Sequence, residues 1–377
     1  HLNQHKLPIY YETNLVNYLT TEFAPKPELE YPFKFKWSPE HGEPFEVAPG
    51  VFWLRMPLPI SLDHINLWLL KDHDGWTIVD CGLGSPVCEE VWEIVFEHFM
   101  SPQDVKRIIV THFHPDHIGL AAWLAERCDV KVHISVGEYR LYRSILTRDS
   151  QDLETQARSY LTELNFPEDF HDRLISFFSA DEKPANKRVT KDIVEFMCEG
   201  DVFDIGGSLW RIVCGNGHSP EHCCLYNEEH GVLISGDQAI PRISSNVSVY
   251  LANRHDDPLG DWISSCEKLR DTIPNDTLVL PSHQEPFKGL QERMQQLIDD
   301  HHAQLNRLRI SLKENVQTID QLRKVMFDRK LSSIDVVLAT GETQAHMNYL
   351  LHRKEVHKEL DSRGAAHYHY PLSSKDT

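Results

Sequence analysis

The sequence predicts a layered α/β protein with a helical insertion and a winged-helix-like C-terminal appendage. Three observations lead there. Short apolar, strand-length runs alternate with runs of helical spacing over much of residues 46–300. That alternation breaks at about 138–195, where Tyr, Arg, Glu, Phe and Leu recur at helical spacing. The tail then gives two short helices and two short runs about a Gly turn.

The elements follow in order. Residues 1–45 are rich in Pro and aromatics and show little periodicity, so they read as an extended arm. Strands are expected at 51–54, 65–70 and 76–79, the last ending in Asp80-Cys81-Gly82. Residues 87–99 space Val, Trp, Ile and Phe as a helix does. A strand at 107–110 runs into a His-rich loop, followed by a helix at 119–127 and a strand at 130–135. The insertion comes next, with breaks at Pro167 and Pro184. Further strands are expected at 208–214, 223–227, 232–235 and 277–280, then a long helix at 290–314. The tail, 301–377, gives helices at 318–328 and 342–353 and a hairpin turning at Ser362-Arg363-Gly364.

Composition bounds the function. The chain has 377 residues, with 38 Lys plus Arg, 57 Asp plus Glu and a formal charge of −19. So acidic a protein repels phosphate backbones and anionic lipid. With 41% hydrophobic and 25% charged residues it has a globular composition. No run of about 18 apolar residues occurs, so no membrane span is expected. The first residues, HLNQHKLPIYYETN, lack the pattern of an intact signal peptide, although the chain begins at His1 rather than Met. The eight Cys form no CxxC pair and read as packed free thiols, which favours the cytoplasm.

The chemistry centres on Thr111-His112-Phe113-His114-Pro115-Asp116-His117. Four metal-ligating residues in six cannot be core packing, since His and Asp are costly to bury unpaired. Alternation along a strand end points His112 and His114 the same way, and the following turn swings Asp116 and His117 toward a second position. Three more candidates each close an apolar run: His218, Asp237 and His283. Three imidazoles suit one zinc with an open position. Asp116, His117 and His283 suit a second, with Asp237 between the two.

This set, in this order, resembles the metallo-β-lactamase-fold hydrolase superfamily over about residues 46–300. The resemblance implies a four-layer αβ/βα sandwich. It implies that His112, His114 and His218 hold one metal, that Asp116, His117 and His283 hold the other, and that Asp237 bridges. It implies that Asp80 orients the site from behind the ligands. The stretches Gly236–Asn246 and Leu280–Pro286, with His301-His302, look like the subgroup typified by lactamase-β-like protein 2, which carries a winged-helix-like tail. The metals expected are two divalent ions, zinc first, with Fe or Mn compatible. They would acidify a bridging water to hydroxide for attack on a carbonyl or phosphoryl centre. Asp116 is the candidate to take the nucleophile's proton, and Arg242 and Asn246 are candidate substrate contacts.

Other residues get plainer assignments. His64 and His133 read as structural histidines, Cys223-Cys224 as packing, and Tyr139, Tyr142 and Tyr160 as a core stripe. For His301-His302 a place at the site and a packing role weigh equally. The expected activity is hydrolysis of a small ester, thioester or lactone. The first alternative is a metal-dependent endoribonuclease or phosphodiesterase. Residues 301–377 hold 12 Lys plus Arg against 9 Asp plus Glu, a net of +3, so residues 1–300 carry −22. That acidity ranks RNA second. An iron enzyme of the same fold, a true β-lactamase and a non-catalytic scaffold rank lower. A small-molecule substrate is expected, nucleic acid and membrane are not, and the sequence leaves a homodimer open.

Overall fold

The computed structural model describes residues 28–33, 40–59, 62–146, 150–168, 171–172, 175, 188–249, 251–331 and 333–371. Two sheets form the body. The first has seven strands in chain order: β1 (Phe45–Ala48), β2 (Val51–Pro57), β3 (His64–Lys71), β4 (Trp76–Val79), β5 (Val105–Ile109), β6 (Val132–Ser135) and β7 (Val194–Met197). Its first four strands pair antiparallel, and β4 to β7 pair parallel. The second sheet comprises β8 (Val202–Ile205), β9 (Ser208–Gly215), β10 (His222–Asn227), β11 (Val232–Gly236) and β12 (Leu278–Pro281). Its order is β12-β11-β10-β9-β8, and only β11 and β12 run parallel.

Strand alternation sorts the side chains into layers. In β3, Ile65, Leu67 and Leu69 join a core on the outer face, while Trp68 and Leu70 point between the sheets. In β10, Cys223 and Leu225 point between the sheets, and Cys224 and Tyr226 point outward. Both faces are buried, so these strands read as continuous apolar runs. Helices α1 (Pro86–His98) and α3 (Ala121–Cys128) cover the first sheet. Helices α6 (Pro258–Thr272) and α7 (Leu290–Glu314) cover the second. The layers are helix, sheet, sheet, helix, the architecture expected. Local chemistry starts the helices: Ser85 caps α1 ahead of Pro86, and Asp257 caps α6 ahead of Pro258.

The insertion begins with α4 (Val136–Leu146) and α5 (Ser150–Glu163). Its Tyr139 and Tyr142 pack in the outer core of the first sheet, and Tyr160 packs in that of the second. Much of 169–187, including Pro184, lies outside the described residues. Of the arm, residues 28–33 and 40–45 are described. Glu30 exchanges both backbone hydrogen bonds with Lys288, at 3.2 and 2.8 Å, tying the arm to the body.

The tail begins within α7 and continues from it without a break. It contains β13 (Gln317–Thr318), α8 (Ile319–Met326), α9 (Ser333–His352), β14 (His357–Leu360) and β15 (Ala366–His369). The three strands form an antiparallel sheet in the order β13-β15-β14. Leu305, Leu308 and Leu312 of α7 share one core with Ile319, Leu322, Met326 and Tyr368. Among the described residues, no helix is long and apolar enough to cross a membrane.

Candidate metal centre

Ligand-type side chains gather where strands end. His112, His114, Asp116 and His117 follow β5, the last two on the one-turn helix α2 (Pro115–Ile118). His218 follows β9, Asp237 follows β11 and His283 follows β12. The structure brings all seven into two adjacent groups, His112, His114, His218 and Asp237 in one and Asp116, His117 and His283 in the other.

In the first group, His112 Nε2 lies 2.9 Å from His114 Nδ1 and 3.3 Å from His218 Nε2. Asp237 Oδ2 lies 3.3 Å from His218 Nε2 and 3.8 Å from His112 Nε2. In the second group, Asp116 Oδ2 is 3.4 Å from His283 Nε2 and 3.7 Å from His117 Nε2. The other oxygen of Asp237, Oδ1, is 3.5 Å from both His117 Nε2 and His283 Nε2.

The backs of the rings fix which nitrogens face inward. His218 Nδ1 donates to the Asn246 carbonyl at 2.7 Å, and His283 Nδ1 to the His64 carbonyl at 3.1 Å. His117 Nδ1 meets Asp80 Oδ2 at 2.8 Å. The Thr111 hydroxyl donates to Asp80 at 2.9 Å and accepts from His112 Nδ1 at 3.1 Å. Four Nε2 atoms are therefore left facing the centre. His117 Nε2 and Asp237 Oδ1 are buried there and make no hydrogen bond.

These donors fit divalent metal. Ligands about 2.1 Å from one tetrahedral zinc stand about 3.4 Å apart, close to the separations above. The electrostatics agree. Burial pushes the His112 imidazole well down and His114 to about 3, so both are neutral donors at pH 7. Burial also acts to lower His117 and His283, but carboxylates outweigh it: Asp116, Asp80 and Asp237 around His117, and Asp237 and Asp116 around His283. Burial acts to raise Asp116 and Asp237. His117 and His283 outweigh it, holding Asp116 at about 2 and Asp237 well below its ordinary value. The second half of the centre therefore favours positive charge.

The comparisons with known proteins decide the family. The model of the metallo-beta-lactamase superfamily matches residues 60–283, and that of the metallo-beta-lactamase-like C-terminal domain matches residues 305–371. This chain belongs to the metallo-beta-lactamase superfamily. A crystal structure of a beta-lactamase domain protein from Burkholderia ambifaria is 39% identical, with a TM-score of 0.81, covering 91% of this chain and 98% of that one. A probable metallo-hydrolase of Bacillus subtilis, YqjP, is 25% identical over 80% of this chain and 92% of its own length. The acyl-coenzyme A thioesterase MBLAC2 of Gallus gallus is 23% identical over 68% of this chain and 84% of its own. The chain is a metallo-hydrolase of this superfamily.

The other expected residues of this chain fall at varying distances from the centre. Asp80 touches His117 and Thr111, as above. Asn246 meets the site through its backbone carbonyl. Arg242 pairs with Glu285 and stacks 5.2 Å over the Tyr31 ring. His64 backs His283 with its carbonyl, while its own imidazole is pushed by burial to about 4. His133 stands 3.7 Å from Glu195 on the neighbouring strand, away from the seven donors. His301 belongs to a separate cluster with Glu342 and His346. Among the described residues every Cys is a free thiol, and Cys223 and Cys224 are fully buried.

Two residues were not anticipated. His222 is buried beside His112, and its Nε2 accepts the Asp237 N–H at 3.1 Å. Gly236 has a positive φ of 51°, and a Cβ there would sit 2.5 Å from His222 Nε2, so glycine lets this ring brace Asp237. Glu138, the second missed residue, opens α4. Its carboxylate accepts from Phe113 N at 2.9 Å, Ser219 Oγ at 2.6 Å and Glu221 N at 2.7 Å. It clamps the loop carrying His112 and His114 to the loop carrying His218.

Proposed function

We propose that this protein is a dinuclear metal-dependent hydrolase of small esters, thioesters or lactones. One observation carries the dinuclear reading: Asp237 turns Oδ2 toward the first donor group and Oδ1 toward His117 and His283 of the second. This carboxylate would offer one oxygen to each of two cations. The remaining donors divide as His112, His114 and His218 against Asp116, His117 and His283. Imidazole and carboxylate donors suit zinc, and also Fe or Mn. Two such ions would lower the pKa of a water from about 15.7 toward 7 and polarise the substrate's electrophilic oxygen.

The chain's own residues do the rest. Asp80, Thr111 and the carbonyls of Asn246 and His64 hold the rings in one tautomer and orientation. Asp116 accepts the nucleophile's proton. Arg242 and Asn246, beside the loop from Asp237, contact substrate. The acyl class is supported by the named activity of the Gallus gallus relative and by the −22 carried by residues 1–300, which disfavours a polyanion. The helix-pair-and-hairpin tail supports the lactamase-β-like protein 2 subgroup and its winged-helix-like domain. Free thiols suit the cytoplasm.

The test is a hydrolysis panel on metal-quantified protein: acyl thioesters, lactones, aryl esters, phosphodiesters and RNA. Turnover of thioester or lactone that follows metal content is expected. Activity on RNA alone overturns the acyl assignment.

A further inference from the structure

A third cluster of ligand-type side chains lies outside the seven-donor centre, between α7 and α9. His301 comes from α7, and Glu342 and His346 come from one face of α9, a turn apart. All three are buried. One donor atom from each lies within 4.8 Å of the other two. His301 Nδ1 and His346 Nε2 are 3.2 Å apart, close to the spacing of two ligands on one zinc.

The protonation pattern suits a cation. His346 Nδ1 donates to the Glu342 backbone carbonyl at 2.8 Å, so its Nε2 presents a lone pair toward His301. Burial pushes His346 to about 4 and His301 well below its ordinary value, so both rings are neutral at pH 7. Neutral imidazoles are ligands, not counter-charges. His301 Nε2 is also buried and makes no hydrogen bond, so hydrogen bonding satisfies only one side of that ring. Two imidazoles and a carboxylate form a donor set for a borderline transition-metal dication.

We propose that His301, Glu342 and His346 bind a further divalent transition-metal ion of the zinc class, which clamps the tail helix α9 to α7. The two helices hold the segment that serves the catalytic centre. Arg293, two turns before His301 on α7, donates to the carbonyls of Ile240 and Ile243, each at 2.7 Å. Val249 N donates to the carbonyl of Gly341, next to Glu342, at 3.3 Å. Between these anchors lie Asn246, whose carbonyl takes the His218 N–H, and the stretch leading from Asp237. An ion at the clamp fixes this segment without touching substrate.

The experiment counts metal on the full chain, purified from zinc-supplemented cultures, by mass spectrometry. The wild type should carry one zinc per chain more than a His301→Gln, His346→Gln double variant, whatever number the catalytic centre holds. In the converse arm, a His112→Ala, Asp237→Ala, His283→Ala variant should keep one tight ion and a zinc-dependent rise in melting temperature. This arm decides the matter if the glutamine variant does not fold. Parallel cultures with iron or manganese test which dication the site takes. Equal metal content in wild type and folded glutamine variant, or a folded centre-less variant without metal, overturns the proposal. The cluster is then a hydrogen-bonded chain.

Discussion

Asp116 differs from the other carboxylate of the centre in its exposure. Its side chain keeps 23% of its surface open, against 10% for Asp237, so it is the more accessible of the two. Neighbouring His117 and His283 outweigh burial and hold it at about 2, so it is ionised at every pH near neutral. Asp116→Asn keeps the shape and one donor oxygen but removes the proton acceptor. It should retain much of the metal and lose nearly all turnover, as metal content and kcat measured on one preparation will show. Normal turnover would rule out the proton-accepting role. The seven ligand-type residues were legible in the sequence because four crowd one short loop and three each close an apolar run, placements that packing does not explain. His222 and Glu138 were not. His222 opens a strand that continues Cys223-Cys224-Leu225-Tyr226, and nothing local says that its ring braces Asp237. Glu138 sits in an amphipathic helix, where a charged residue reads as solvent-facing. Its three partners come from distant loops, and hydrogen bonds to a charged group contribute about 1.5–3 kcal/mol each. They compensate for a burial that still raises its pKa.

At the scale of elements, capping chemistry and packing compete. The hairpin turn expected at Ser362-Arg363-Gly364 forms, with Gly364 at a φ of 88°. Asp361 organises it by accepting the N–H groups of Ala365 and Arg363 at 3.0 and 2.8 Å, which holds its carboxyl at about 2, below its ordinary 3.8. A depressed carboxyl stabilises the fold above its unfolded pKa and loses that contribution as pH falls through the folded value. The melting-temperature gap between wild type and Asp361→Asn should therefore be open near about pH 6 and close toward about pH 2. A gap independent of pH would remove Asp361 from the turn's stability. Helix α9 shows the opposite case. The sequence suggested a start at 342, yet the helix begins at Ser333. Val336, Val337, Thr340 and Gly341 are weak helix formers, so propensity argued against this stretch. Tertiary packing overrides it: Ala339, Ala345, Met347 and Leu350 enter the main core. A Cβ on Gly341 would sit 2.9 Å from Ser248 Oγ, so the glycine that weakens the helix also admits the crossing segment. Strands β7 and β8 escaped notice because their exposed residues blur the alternation. Helix α6 had its start signal in Asp257-Pro258, but a mixed polar surface hid its stripe.

On the scale of the whole molecule, a core shared between body and tail and an uneven charge set the behaviour. Helix α7 carries core leucines from the body into the tail, so the two parts share one hydrophobic cluster. Their charges differ: −22 for residues 1–300 against +3 for residues 301–377. That asymmetry acts on substrates before any contact. At an ionic strength of about 0.01 M the Debye length is about 30 Å, so an anionic substrate feels the whole body, whereas at about 0.15 M it shrinks to about 8 Å. For an anionic acyl-nucleotide thioester, kcat/KM should therefore rise with salt as repulsion is screened, while a neutral thioester with the same acyl group should show no change. The pair isolates the field from effects of salt on the chemical step, which both substrates share. A fall with salt for the anionic substrate alone would mean that a basic track at the mouth overrides the global charge. Polyanions bind with that sign of salt dependence, so the same measurement that tests the acidity would move the assignment from acyl substrates toward RNA.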